Sequence, residues 1–563
     1  WFYSGEPSKD IKERWQWTYP IIFSPVDPKT LYVSSQRLWR TTNGGRSWTA
    51  LSGDLTRHDP KTMGHSGGPI TGDMNGPEVY AVIFAVGPGK RTTNVIWTGS
   101  DDGLVHVTRD AGKSWTNVTP KDMPDFGRVS QIDASAFDDG AAYVSVRKPL
   151  LNDTAPYIFK TTDYGRTWTK IVNGIRPDAY VHAVREDPIR RGMLYAATQH
   201  GVYLSRDNGG SWQPLMLNMP DVPVSDLVIE RNELVISTHG RGFWVLDNIA
   251  PLRQATPEIL VADAHLYTPP PAVRSGTGLA ITWALKNAPT TAKLDILDST
   301  GVVLRTFEPD TTSTDSTRAA TPPAGGRRGG AGPYLAKTAG VNHLTWDLRT
   351  KGIATFPGMI LWGAGTNGPV VPPGRYTVRL TADGRTMSVP AVVQRNPRIT
   401  DVSDADMRAQ YAFSKRVRDK ANEANESVIG IRRVKAQLAD RYKKSDDATL
   451  KSKGETLKTD VSAVEENIYQ VRNQSGQDPL NFPIKVNNRL ANLMSMAERG
   501  DGAPINSMPE IFGMLSTELK GYTDTLAKVY QTDLVAVNSE LARLKLAPID
   551  PQCEKVAGCS AIP

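Results

Sequence analysis

"TTDYGRTW" (residues 161–168) places a hydroxyl, a carboxylate, a glycine and a tryptophan at fixed intervals, and the spelling returns as "TTNGGRSW" (41–48), "TRDAGKSW" (108–115) and "SRDNGGSW" (205–212). All four obey S/T-x-D/N-x-G-x-x-W. Their tryptophans, Trp48, Trp115, Trp168 and Trp212, are about 67, 53 and 44 residues apart, periods that suit propeller blades or solenoid units. An alternating aromatic and β-branched run precedes each copy ("TLYVSS", "GLVHVTRD", "PYIFKTTD", "GVYLSRD"), so each copy sits where a strand reverses. There Asn43, Asp110, Asp163 and Asp207 can accept backbone hydrogen bonds of their own turn, glycine supplies a conformation a Cβ disfavours, and the tryptophan offers a large body to bury under the hairpin. A catalytic centre occurs once per chain, whereas a folding device can occur once per blade; repetition therefore assigns these residues a structural role.

The four copies resemble the Asp-box (BNR) repeats of sialidases, xyloglucanase-type glycoside hydrolases and the sortilin receptors. The resemblance implies a β-propeller with its boxes on the face away from the ligand. Over nearly the whole chain, the order of boxes, "THGRGFWVLD" (238–247), the strand run "PPGRYTVRLTADGRTMSVPAVV" (372–393) and the helical stripes beyond 401 resembles large secreted bacterial proteins of the sortilin-type or BNR "glycosyl hydrolase" group.

The chain has 563 residues, enough for three or four domains, and no apolar run reaches the eighteen or so residues of a membrane span. Its 66 basic and 59 acidic residues leave a net charge of +7, mild for this length, and no dense basic block with interleaved aromatics marks a nucleic-acid groove. Cys553 and Cys559 are expected to close a short disulfide loop in an oxidising compartment, outside the cell or in a periplasm. Trp1 in place of Met suggests a mature or incomplete piece of a longer product.

Residues 1–250 read as propeller blades, ending in "STHGRGFWVLD" (237–247), a strand without a box that has the form of a closing segment. Four boxed units plus this segment make four or five blades, fewer than a usual ring. An upstream segment or another chain is expected to complete the propeller. Residues 251–400 read as a small β-sandwich with strands at "GLAITWAL", "AKLDILDSTGVVLRTF", "GVNHLTWDL", "MILWGA" and "GRYTVRLTADGRTMSVPAVV", resembling an immunoglobulin-like module. Between its strands, 309–333 is poor in apolar residues and is expected to be a mobile loop. Residues 401–548 carry apolar stripes of helical period, predicting an antiparallel bundle of three or four helices interrupted at "QSGQDPLNFP" and "RGDGAPINSMP"; 549–563 form the cysteine-bearing tail.

The turn before each boxed strand must lie on the face opposite the box. It presents Gln36 and Arg37, Asp101 and Asp102, Gln199 and His200, and His239 with Arg241, which suit either ligand binding or turn formation. Hydrolysis would require two carboxylates across a cleft; Asp101 and Asp102 are adjacent and should diverge, and Asp54, Glu78, Glu186 and Asp187 are other available acids. His58 and His65 have a spacing that could ligate a metal, but a flexible polar loop carrying two histidines is the preferred reading. No phosphate loop, dinucleotide fingerprint, HExxH or GxSxG motif occurs, so no cofactor or metal is implied. The sequence thus favours a secreted or periplasmic module binding a protein, peptide or glycan, with a glycoside hydrolase as the alternative.

Overall fold

The computed structural model describes residues 5–74, 76–310 and 334–553. The expected loop 309–333 falls almost entirely outside them, as does Cys559 and with it the expected disulfide. The chain divides into two compact units, Trp1–Arg253 and Gln254–Pro563.

In the first unit five antiparallel meanders follow one another as propeller-type blades. The first has strands Ile21–Phe23, Leu31–Ser34, Leu38–Thr41 and Thr49–Ala50; the second Ile83–Pro88, Ile96–Ser100, Val105–Thr108 and Thr116–Asn117. The third has Arg128–Ala134, Ala142–Lys148, Asp153–Thr161 and Thr169–Lys170, and the fourth Val181–Glu186, Leu194–Thr198, Gly201–Ser205 and Gln213–Pro214. The fifth has three strands, Val224–Glu230, Glu233–Thr238 and Phe243–Leu246. A blade between two others is covered on both faces, which is why Ile96–Ser100 and Leu194–Thr198 are buried at every position. The apolar residues left exposed on strands are at the two ends, Ile21 and Phe23 in the first blade and Val228, Phe243 and Val245 in the fifth. Among the described residues no strand pairing joins the fifth sheet to the first.

Each repeat joins the third and fourth strands of its blade. In "TTDYGRTW" Asp163 accepts from the Thr167 amide (2.9 Å) and hydroxyl (2.7 Å) and from the Thr161 hydroxyl (2.9 Å), while the Gly165 amide donates to Thr161 Oγ1 (3.0 Å). Asn43, Asp110 and Asp207 each take the matching backbone amide in the same way. Positions four and five of every box are left-handed, as at Tyr164 (φ 62°) and Gly165 (φ 78°), a pair of conformations that reverses the chain tightly. Three of the four tryptophans reach beyond their own hairpins. Trp115 Nε1 donates to the Leu51 carbonyl (2.9 Å), Trp168 to Val118 (2.7 Å) and Trp212 to Ile171 (2.9 Å), in each case the blade before. An indole extends far enough to cross to the neighbouring sheet, so the box ties blades together as well as closing a turn.

In the second unit a three-stranded and a five-stranded sheet share one core around Trp283, Trp346, Leu294 and Val378. The Ala292–Leu297 strand turns into Val303–Phe307, and Gly374–Ala382 returns as Arg385–Gln394 through Asp383 and Gly384, both left-handed as a two-residue hairpin demands. Helices Asp404–Tyr442, Ala448–Ile468, Val486–Ala497 and Ser507–Val529, the last continued through a π turn to Arg543, bury their stripes in a second core. Ser403 and Asp406 cap the first of them reciprocally.

"MILWGA" is not a strand. Residues 359–364 are irregular and lie on the helices, because Met359 and Leu361 join the helical core. Their amides find side-chain acceptors there: Ile360 N donates to Tyr469 Oη (3.1 Å) and Trp362 N to Asn488 Oδ1 (2.7 Å). Arg274, 2% exposed, reaches from the sheets to Gln410 Oε1 (2.6 Å) and to Asp501, fastening sheets and helices within one unit.

Candidate functional site

In an antiparallel meander the turn between strands two and three, and the entry to strand one, lie at the end away from the box. On that face, at blades two, three and four, is a cavity of about 470 Å³. Tyr80 enters from just before the first strand of blade two, and Asp101 from the turn after Ser100. Phe126 and Arg128 stand at the start of blade three, Arg147 and Lys148 at the end of its second strand, and Tyr180 just before blade four. Exposed Leu150 and Leu151 form the rim.

The lining is cationic. Arg128 lies over the Phe84 ring (4.7 Å), which holds its guanidinium in place. Arg147 Nη1 is 2.8 Å from His182 Nδ1; as guanidinium is only a donor, that nitrogen accepts and His182 is neutral. Burial, then the Arg147 charge, holds the His182 pKa down to about 4, against an opposing contribution from the Gln199 side chain. Burial and the Arg128 charge also lower the pKa of Arg147. Tyr80 is pushed above the usual phenol range by burial and by Asp101 and Asp102.

Among the described residues, Asp101 is the one carboxylate lining the cavity. Burial pushes its pKa up to about 7, outweighing the Val82 amide that donates to Oδ1 (2.9 Å); Asp102 raises it further and Arg128 lowers it. Asp102 turns the other way, accepting from Ser100 Oγ (2.5 Å) and the Arg57 amide (2.8 Å). The adjacent carboxylates therefore diverge, each drawn to different donors in the turn.

The remaining turn residues have other partners. Gln36 is buried, accepting from Arg14 N (2.9 Å) and donating to the Lys12 carbonyl (2.9 Å), and Arg37 pairs with Glu13 at 3.5 Å. His200 lies 2.9 Å from Asp221, and Arg241 is exposed, its carbonyl accepting from Trp244 Nε1 (3.2 Å). His239 stacks edge-on with His182, centroids 6.0 Å apart, and so stands one residue behind Arg147. Among the other acids, Asp54 binds Arg14 (2.7 Å), while Glu186 and Asp187 lie at the box end of their strand, held by Ser135 (2.5 Å) and Arg253 (2.8 Å). His58 is paired with Asp54 at 3.1 Å, and among the described residues no three potential ligands gather around a metal position.

Sequence reasoning singled out Asp101 on the face where this cavity lies, but not Tyr80, Phe126, Arg128, Lys148 and Tyr180. They are scattered over a hundred residues and share no motif. The signal lay in their position, at the ends of first and second strands once the blades are aligned by their boxes.

No protein-family model matches the chain. A xyloglucanase from Paenibacillus sp. is 28% identical over 155 residues, covering 25% of this chain and 13% of that protein. Among solved structures, the GH74 xyloglucanase from Xanthomonas campestris is 18% identical, covers 68% of this chain and 58% of its own, and has a TM-score of 0.31. An ancestral GH74 enzyme is 15% identical, with 69% and 54% covered and a TM-score of 0.33. YCF48 bound to a D1 peptide is 15% identical, with 52% and 84% covered and a TM-score of 0.27. The chain thus spans a small part of the curated xyloglucanase and just over half of the two GH74 structures.

Proposed function

We propose that this chain is an extracytoplasmic binding module whose propeller-type blades take an acidic glycan, a uronate or similar sugar acid, in the cavity opposite the boxes. The observation that carries this reading is the convergence of Arg128, Arg147 and Lys148 on one cavity with the rings of Tyr80, Phe126 and Tyr180. Guanidinium groups match a carboxylate in a two-point fork, and aromatic faces suit the apolar face of a sugar ring. Limited similarity to a xyloglucanase supports a carbohydrate over a peptide. Removing one charge-assisted contact should weaken binding about tenfold or more. The test is titration with an oligouronate of wild type, Lys148→Met and Arg147→Met, each checked for unchanged thermal unfolding. Equal affinity in all three would contradict the reading.

A second reading, glycoside hydrolysis, is favoured by one observation: a cavity carboxyl with a pKa near 7 is suited to act as an acid at neutral pH. It lacks an opposing carboxylate among the residues lining the cavity. Release of reducing ends from a polysaccharide panel, abolished by Asp101→Asn, would establish it.

A further inference from the structure

We propose that the outer face of the first blade is a docking face for a further four-stranded blade of the same kind, carried on the polypeptide ahead of residue 1. This is independent of the ligand cavity. Trp115, Trp168 and Trp212 each donate to the carbonyl of the third residue after the box of the blade before: Leu51, Val118 and Ile171, three positions beyond Trp48, Trp115 and Trp168. The box glycine makes the same contact sterically. A Cβ on Gly112, Gly165 or Gly209 would fall 2.9, 2.7 and 2.4 Å from side-chain atoms of Leu51, Val118 and Ile171, so each glycine receives the aliphatic residue of the blade before.

Among the described residues nothing fills either device at the first box. A Cβ on Gly45 would meet only the ring of Trp48, at 3.8 Å, and Trp48 is 39% exposed with no hydrogen-bond acceptor among the described residues. Beside it lies a hollow of about 570 Å³ lined by Trp15, Val33 and Trp39. The occupant that fits is therefore a fourth strand presenting a backbone carbonyl and an aliphatic side chain. A second copy cannot supply it in this register. Leu51, Val118, Ile171 and Leu215, the four residues at that position, are each already packed in the core between their own blade and the next.

The test is hydroxyl-radical footprinting of the indoles, read by mass spectrometry, on the 563-residue chain and on the gene product extended upstream. In the chain alone Trp48 should oxidise far faster than Trp212, which is 3% exposed. In the extended protein its rate should fall to that of Trp212, and Trp48→Phe should lower the melting temperature there but not in the shorter chain. Three results overturn the proposal: Trp48 equally reactive in both proteins, protection in the shorter chain that tracks dimer formation, or protection that appears only on adding an oligosaccharide.

Discussion

Trp212 offers a quantitative test of the view that the boxes hold blades together and take no part in ligand chemistry. Its indole is 3% exposed, packs with Ile171, Tyr203 and Leu194, and donates to the Ile171 carbonyl at 2.9 Å. Trp212→Ala removes that whole body and leaves a cavity, a loss of about 3–5 kcal/mol. Trp212→Phe keeps most of the apolar contact but strands the carbonyl, for about 1–3 kcal/mol. For a unit of this size a kilocalorie corresponds to about 2–4 °C, so Trp212→Ala should melt about 10 °C below wild type and Trp212→Phe about half as far. Trp48→Ala in the same chain should cost well under 1 kcal/mol, since its indole is 39% exposed and has no acceptor among the described residues. Thermal and urea unfolding, followed by circular dichroism, would measure all three. Equal destabilisation by Trp48→Ala and Trp212→Ala, or loss of ligand binding by folded Trp212→Phe, would refute the reasoning.

Further predictions concern charge. With its folded pKa near 7, above the ordinary carboxyl value, Asp101 is neutral and favourable to the fold at low pH, and that contribution is lost as pH rises through about 7. Asp101→Asn should therefore flatten the stability profile between about pH 4 and 7, checked by melting temperature against pH. The box carboxylates run the other way: hydrogen bonds from Ser114 and Thr108 hold Asp110 down to about 2, so its contribution is present above the ordinary carboxyl value and lost only as pH falls toward 2. In the second unit, Arg274→Met leaves Asp501 without its buried partner and should cost about 3–5 kcal/mol, measurable by urea unfolding; a loss below 1 kcal/mol would show that the pair is not needed.

Local chemistry made much of the molecule legible. The boxes, the Asp383-Gly384 hairpin and the helical stripes each carry their instruction within ten or so neighbouring residues, and each structure follows from it. "MILWGA" misled because an apolar run says that a segment is buried and does not say against what; here helices, with Tyr469 and Asn488 as acceptors, replaced a sheet partner. The destination of the box tryptophans was hidden for a similar reason, since Val118 and Trp168 are fifty residues apart and meet only when blades stack. The cavity residues are the extreme case: Tyr80, Asp101, Arg128, Arg147 and Tyr180 have no common spelling, and only the register of three sheets brings them together.

The central claim is that Asp101 and the arginines around it form a site for a sugar acid, and calorimetric titration with an oligogalacturonate and its neutral methyl ester, at pH 6 and pH 8, tests it most directly. The ligand carboxylate is ionised at both pH values, and His182, with a pKa near 4, is neutral at both, so among these groups Asp101 alone changes charge in that window. The account predicts that the acid binds, more tightly at pH 6 than at pH 8, with proton uptake near pH 7, that the ester does not bind, and that Asp101→Asn removes the pH dependence. Equal binding of acid and ester, affinity unchanged between the two pH values, or no binding of either would contradict it.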